Sequence, residues 1–444
     1  MKIAEKPESN TILKEDAAFH AWYRFVLSYP PHLVRKYIGV FGLSDPKMLC
    51  DPFCGTGTTL VEAKKLGVPS IGCEAHPFAA MVSRVKCNWR LNISTLKKLQ
   101  AQIAHRAEKE CSRHSLPPHS LEAALLHEET KPLNGYALES DRLAMIPLGF
   151  MSDRPLGRLL ILRHMVDVVT KNEPRAFREF FYVAFAHVVT NGAGNFAFGP
   201  EIYRTKPKID YDVVGHFARH ASSMIADLEK AASVPGQDVA ARVIEGDARD
   251  LKKLPDRIDA VITSPPYPNE KDYTRTTRVE SVLLGFVSDR AQLRSVKNNL
   301  LRSNTRNVFS SDDDAVEVAG FDSIRKVCEQ IENRRIELAK TSGFERLYHK
   351  VVAHYFGGMK QHFRALRLKL QSKAKLAYVV GDQYSFLMVP VRTATLLAEV
   401  AESEGFRVAG IDLWRERIGT KVRNSLTGQK VIRIREEVLR LELP

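Results

Sequence analysis

Met48-Leu49-Cys50 is a short apolar run that reads as a buried strand, and the residues after it constrain the fold. It passes into Asp51-Pro52-Phe53-Cys54-Gly55-Thr56-Gly57-Thr58-Thr59, with a helix beginning near Leu60. A strand, a glycine-rich turn and a helix start in that order point to an α/β chain with a small-ligand site. The glycines permit close backbone approach, and the helix start presents N–H groups to an anionic group. Two common ligand classes do not fit. A dinucleotide fingerprint needs a third glycine three residues after Gly57, where Leu60 stands. A phosphate-binding loop needs Gly-Lys-Ser/Thr, and this turn has no lysine. A nucleoside without a pyrophosphate remains.

Three further segments read as strands whose ends carry polar chemistry. Pro69–Cys73 ends in Glu74, placed to hold the hydroxyls of a ribose, and Ala241–Glu245 is followed by Asp247. Each acid taken alone reads first as a helix cap or a loop charge, ahead of a ligand role. Ile258–Ile262 runs into Thr263-Ser264-Pro265-Pro266-Tyr267. Prolines fix φ, so the carbonyls between them are held in place before a ligand arrives. Ser264 and the Pro265 carbonyl can accept from an exocyclic amine, while Tyr267 offers a face for stacking. The alternative for this stretch alone is a rigid turn after a buried strand.

The stretches DPFCGTGTT and TSPPY together resemble those of the S-adenosylmethionine-dependent DNA amino-methyltransferases, which methylate the exocyclic nitrogen of cytosine or adenine. The likeness extends to Trp22–Phe25 and Tyr29–His32 upstream, and more faintly to Lys375–Asp382 and Phe406–Leu439. It implies a Rossmann-like methyltransferase fold: a seven-stranded, mostly parallel sheet with an antiparallel last strand, here with large, mainly helical insertions. It also implies roles. Asp51, Phe53, Gly55, Gly57 and Thr58 line the methionine end of S-adenosylmethionine, Glu74 holds its ribose and Asp247 its adenine amino group. Ser264, Pro265, Pro266 and Tyr267 receive the target base. No metal is required, and none is expected.

Cysteine and charge content agree with that resemblance. Cytosine-5 methyltransferases resemble one another in a Pro-Cys nucleophile, and this chain has no Pro-Cys dipeptide. Its six cysteines are scattered; Cys111, His114 and His119 form the one loose Cys/His group and lack the paired spacing of structural zinc. Scattered cysteines, an N-terminus without a signal-type apolar run and no long apolar span lead us to expect a cytoplasmic protein without membrane attachment. The formal charge of +14 over 444 residues fits a polyanionic partner, and the expected partner is double-stranded DNA, with a cognate restriction or defence component as a further candidate.

The chain is far longer between Glu74 and Asp247 than one helix and one strand require. Residues 1–90 read as the N-terminal part of the catalytic domain, and 91–240 as a mainly helical insertion and candidate DNA-recognition region. Residues 241–444 read as the C-terminal part, with a second insertion around 285–345. Helices are predicted over Ile93–Arg113, Arg158–Lys171, Arg175–Thr190 and Asp210–Ala232, the third stopping at Asn191-Gly192. Gly194–Lys206 interleaves aromatic and basic residues, suiting either a loop beside nucleic acid or one packing its rings on the core. Arg204 there, Arg275 and Arg278 after the base clamp, and Arg302 and Arg306 in the second insertion are the candidate DNA contacts. For Arg290–Arg306 the alternative is a solvated basic helix. Ser310–Asp314, with three consecutive aspartates, reads as a mobile loop.

Serine before Pro-Pro-Tyr resembles the cytosine-N4 branch, whereas adenine-N6 enzymes usually carry Asp or Asn there. Cytosine N4 is therefore the expected target and adenine N6 the alternative. An RNA methyltransferase and a non-catalytic nucleic-acid-binding relative are the other classes considered.

Overall fold

The computed structural model describes residues 12–25, 28–114, 135–199, 201–232, 234, 236–268, 272–424 and 428–444. His119 and the first residues of the chain lie outside them. The strands are β1 (Leu49–Asp51), β2 (Ser70–Glu74), β3 (Phe196–Phe198), β4 (Ile202–Arg204), β5 (Ala241–Glu245), β6 (Ile258–Thr263), β7 (Leu370–Gly381), β8 (Arg407–Asn424) and β9 (Gly428–Glu442). Seven form one sheet in the order β5-β2-β1-β6-β7-β9-β8. β1, β2, β5, β6 and β7 pair in parallel, and the last strand, β9, runs antiparallel between β7 and β8. The expected α/β architecture, a seven-stranded, mostly parallel sheet with an antiparallel last strand, is the one observed.

This order places the site. From β1 the chain builds outward through β2 to β5, then returns to lay β6 on the other side of β1. Such a reversal opens a crevice beyond the carboxyl ends of the two strands. Leu49 pairs with Ala260 and Cys50 with Val261, so the two sequence motifs emerge side by side. Both strands are buried, which is why they appear as apolar runs without alternation.

The longer helices are α1 (Pro31–Phe41), α2 (Thr58–Lys65), α3 (Pro77–Cys87), α4 (Ile93–Arg113), α5 (Asp153–Val169), α6 (Arg175–Val188), α7 (Val213–Ala231), α8 (Arg290–Asn298), α9 (Asp322–Glu337), α10 (Tyr348–Arg367) and α11 (Thr393–Ser403). α1 opens on Pro31 and closes on Gly42 in the left-handed region, the usual asymmetry of helix ends. Its Leu33, Val34, Tyr37 and Ile38 pack with Leu49, Ala260 and Ile262 of the sheet. α10 and α11 cover Cys50, Val261, Leu376 and Tyr378 with Tyr355, Phe363 and Leu397. α4 to α7 share a single apolar core with Leu60 and Val61 of α2 and Phe78 and Met81 of α3. No helix among the described residues is long and apolar enough to cross a membrane.

Several local expectations needed correction. The helix predicted through Thr190 ends at Val188 and continues as a π-turn over Val189–Ala193. Gly192 there leaves room for the Tyr211 ring, whose hydroxyl would stand 2.4 Å from an added Cβ. Gly194–Lys206 is largely a hairpin, β3 with β4, and it divides its aromatics. Phe196 is buried and stacked on Phe150 at 5.3 Å, whereas Tyr203 is exposed. The 310–314 stretch is no bare acidic loop: Asp312 pairs with Arg302 at 2.8 Å, and buried Asp314 pairs with Arg249 at 3.0 Å.

Candidate functional site

Asp51, at the end of β1, is 1% exposed and draws three segments of the chain together. Its Oδ1 accepts from Thr263 Oγ1 at 2.6 Å and from the Phe53 N–H at 3.1 Å; its Oδ2 accepts from Thr59 Oγ1 at 2.5 Å and from the Tyr29 hydroxyl at 3.1 Å. Burial raises the Asp51 carboxyl above the usual carboxylate range, while the four hydrogen bonds favour its ionised form. Asp51 therefore binds the glycine turn, the clamp strand and the Tyr29 segment to each other. It is expected to touch the cofactor, yet its oxygens face inward.

The turn after Asp51 needs its glycines. Gly55 and Gly57 have φ of +52° and +90°, and an added Cβ on Gly57 would stand 2.6 Å from Ser83 Oγ. The Gly55 N–H donates to Glu74 Oε2 at 2.8 Å, and the His76 N–H donates to Glu74 Oε1 at 2.8 Å. Burial lifts the Glu74 carboxyl to about 7 against these two donors. Glu74, Gly55, Phe53 and Thr58 line a cleft together with Phe25, Tyr29, Ser264 and Pro266. The open side of Gly55, with nothing within 4 Å of an added Cβ, leaves the backbone bare there. A concave, partly apolar pocket with an exposed glycine backbone and a carboxylate suits a nucleoside with an amino-acid tail.

The clamp reaches the same cleft. The β6–β7 register sets Thr263 opposite Tyr378, and Ser264 then donates its hydroxyl to the Val379 carbonyl at 3.1 Å. A hydroxyl has one proton and two lone pairs, so Ser264 is left as an acceptor toward the cleft. Pro265 is buried and Pro266 lines the cleft. Tyr267 stands differently from expectation. Its half-buried ring lies over Gly381 at the end of β7, with Cε2 2.9 Å from where a Cβ would sit, set back from the cleft lining. A stacking face nearer the cleft comes from Phe25 and Tyr273, whose rings stack at 5.3 Å and both line it.

Asp247 lines a neighbouring pocket that meets the first at Ala75 and Asn299. Its Oδ2 takes Arg249 Nη2 at 2.7 Å, and its Oδ1 takes the Arg249 N–H at 2.8 Å. The outer wall of both cavities is the second insertion. Asn299, Leu300, Leu301, Ser303, Asn304 and Asn307 face the first cleft. Sequence reasoning assigned this stretch to DNA phosphates and missed it as a wall. The available signal was Gly357-Gly358 in the middle of α10, a helix-weakening pair that only close packing justifies.

The candidate DNA arginines separate into two groups. Arg204 and Arg306 are exposed, Arg204 across Gly149 and Arg306 over the Phe344 ring at 5.7 Å. Arg275 is paired with Glu201 at 2.6 Å, and half-buried Arg278 donates to the Thr274 carbonyl at 3.0 Å. Arg302 is a correction. It is 5% exposed, bidentate on Asp312 and bonded to the carbonyls of Lys297 and Leu300, so it holds protein and not phosphate. Among the described residues no group of three or more His, Cys, Asp or Glu could hold a metal ion.

Comparison with known proteins agrees with this geometry. Residues 8–83 match the family described as DNA methylase of the N6/N4 type. The type II methyltransferase M.BsoBI of Geobacillus stearothermophilus is 25% identical over 306 residues, 66% of this chain and 57% of that protein. M.MjaII of Methanocaldococcus jannaschii is 31% identical over 91 residues, 20% of this chain and 17% of that protein. M.AvaI of a Nostoc species is 27% identical over 173 residues, 36% and 34% of the two chains. Over residues 8–83 the chain is thus similar to the N6/N4 DNA methylase family, and over longer stretches it is distantly similar to these type II enzymes. It spans little more than half the length of M.BsoBI.

Proposed function

We propose that this chain methylates the exocyclic amine of a base extruded from double-stranded DNA, with cytosine N4 as the target atom and S-adenosylmethionine as donor. The observation that carries the reading is Ser264. Its proton is committed to Val379 while its lone pairs border a cleft also lined by Gly55 and Glu74. S-adenosylmethionine, when bound, supplies an electrophilic methyl on a sulfonium. An amine conjugated to a ring is a poor nucleophile, because its lone pair is delocalised. Ser264 and the Pro265 carbonyl, accepting its two N–H bonds, turn that lone pair out of the ring plane toward the cleft. Glu74 orients the ribose hydroxyls, and the Gly55 turn seats the methionine end. Positioning and fixed dipoles supply the acceleration. Extruding the base costs a few kcal/mol, offset by stacking and phosphate contacts. A cognate restriction component fits the kinship with type II enzymes.

The test is direct. Purified protein should bind S-adenosylmethionine and transfer labelled methyl to duplex DNA. Digestion to nucleosides and mass spectrometry should then find N4-methylcytosine. Methyladenine alone would move the target to adenine N6, and label in RNA but not DNA would overturn the reading.

A further inference from the structure

Arg249 is engaged wholly within the molecule, two residues from the carboxylate expected at the adenine end of the cofactor. Beyond its bonds to Asp247, its Nη1 donates to Asp314 Oδ2 at 3.0 Å and its Nη2 to the Asn298 carbonyl at 2.8 Å. One guanidinium thus joins the loop after β5 to both ends of the 298–314 segment, whose first half walls the cleft. The rest of that segment is built to stay there. Arg302 ties Asp312 to the carbonyls at its start, and Lys297 donates to Asp272 beside the base clamp at 2.9 Å. α10 seats it through two glycines: an added Cβ on Gly357 would stand 1.8 Å from the Asp314 carbonyl oxygen, and one on Gly358 2.6 Å from Leu301 Cδ1. Two carboxylates and a carbonyl around one group need a planar fork of donors, which arginine has and lysine lacks.

We infer that Arg249 is a positioning residue for S-adenosylmethionine: it orients Asp247 and seats the 298–314 segment as the cover of the cofactor cleft. This rests on the proposal that the cleft holds S-adenosylmethionine. A structural ion pair elsewhere offers the contrast. Arg35 bridges Asp16 and Glu62 at 2.7 and 2.5 Å, and none of the three lines the cleft.

The experiment uses the full chain as wild type, Arg249→Ala, Arg249→Lys, Asp314→Asn and, for comparison, Arg35→Ala. Binding of S-adenosylmethionine is titrated by calorimetry, duplex binding is measured without cofactor, and hydrogen exchange is followed over 298–314. Arg249→Ala should weaken cofactor binding by about tenfold or more. Asp314→Asn should weaken it in the same direction, and Arg249→Lys should fall between Arg249→Ala and wild type. Exchange over 298–314 should rise in these variants while duplex affinity stays within about twofold. Arg35→Ala should lower the melting temperature and leave cofactor affinity unchanged. Cofactor affinity at the wild-type level in both Arg249→Ala and Asp314→Asn would overturn the inference; so would a loss that tracks melting temperature and duplex affinity together. Should Arg249→Ala fail to fold, Asp314→Asn decides alone. Wild-type protein that binds no S-adenosylmethionine would overturn the functional reading and this inference with it, whereas wild-type binding with unaffected variants overturns the inference alone.

Discussion

The cleft has two walls, and they are held by different forces. The sheet wall stands on the β1–β6 ladder, with buried Leu49, Val261 and Ile262 behind it and Asp51 bound by four uncharged donors in front. The wall made by the second insertion has no strand at all. It stands on Arg249, Arg302 and Lys297, each reaching a carboxylate, and on a glycine pair beneath it. Backbone ladders with apolar cores open only when the domain opens, whereas a wall of side-chain pairs can loosen by itself. The difference puts the glycine turn and the hydroxyl–proline clamp on the rigid side of the cleft and the 298–314 segment on the adjustable side.

The largest effect is expected at the sheet wall. Asp51→Ala removes the acceptor shared by the hydroxyls of Thr59, Thr263 and Tyr29 and the Phe53 N–H, of which Thr59 and Tyr29 have a second partner, a loss of roughly 3 kcal/mol in urea unfolding. An unchanged unfolding midpoint would remove Asp51 from the centre of the wall. Next comes Ser264→Ala, which should cut the methyl-transfer rate by about 100-fold with cofactor affinity unaltered. If cofactor binding falls instead, Ser264 belongs to the wrong ligand.

The second wall is tested by Gly357→Ala, which drives a methyl into the Asp314 carbonyl and should cost roughly 1–3 kcal/mol. Gly39, inside α1 with nothing within 4 Å, is its counterpart, and Gly39→Ala should stabilise by about 0.5–1 kcal/mol. Equal responses at the two glycines would mean that the cover is not seated as described.

The smallest effect is one of pH. With its carboxyl at about 7, Glu74 is mostly protonated at acid pH and ionised above neutrality. The ionised form is the better acceptor for ribose hydroxyls, so S-adenosylmethionine binding should tighten about tenfold from about pH 6 to about pH 8. Glu74→Gln should flatten that slope. Binding that weakens as pH rises contradicts the assignment.

The legible parts of this molecule were local. β1, β2 and β6 were readable because buried parallel strands are largely apolar runs with the site residues directly at their ends, and β5, a half-exposed edge strand, was readable from its Val243-Ile244 pair before Asp247. The Arg249–Asp314 pair was not readable, since nothing near either residue announces a partner 65 positions away. Arg302 shows the same failure in reverse. Among Asn, Ser and other basic residues it reads as a phosphate contact, and only the approach of Asp312 makes it a structural cation. Tyr267 was recognised as an aromatic at the clamp, but Gly381 on another strand decides where its ring lies.

The sequence by itself determined the strand–turn–helix, the acid after β2 and the hydroxyl–proline–aromatic clamp, because each needs only consecutive residues and backbone rules. Only the tertiary structure decided that Asp51 faces inward, that Arg249 reaches Asp314, and that the second insertion walls the cleft beside the glycine turn. Those are matters of which distant charges meet and which glycines let backbones touch, and a linear pattern has no means of expressing either.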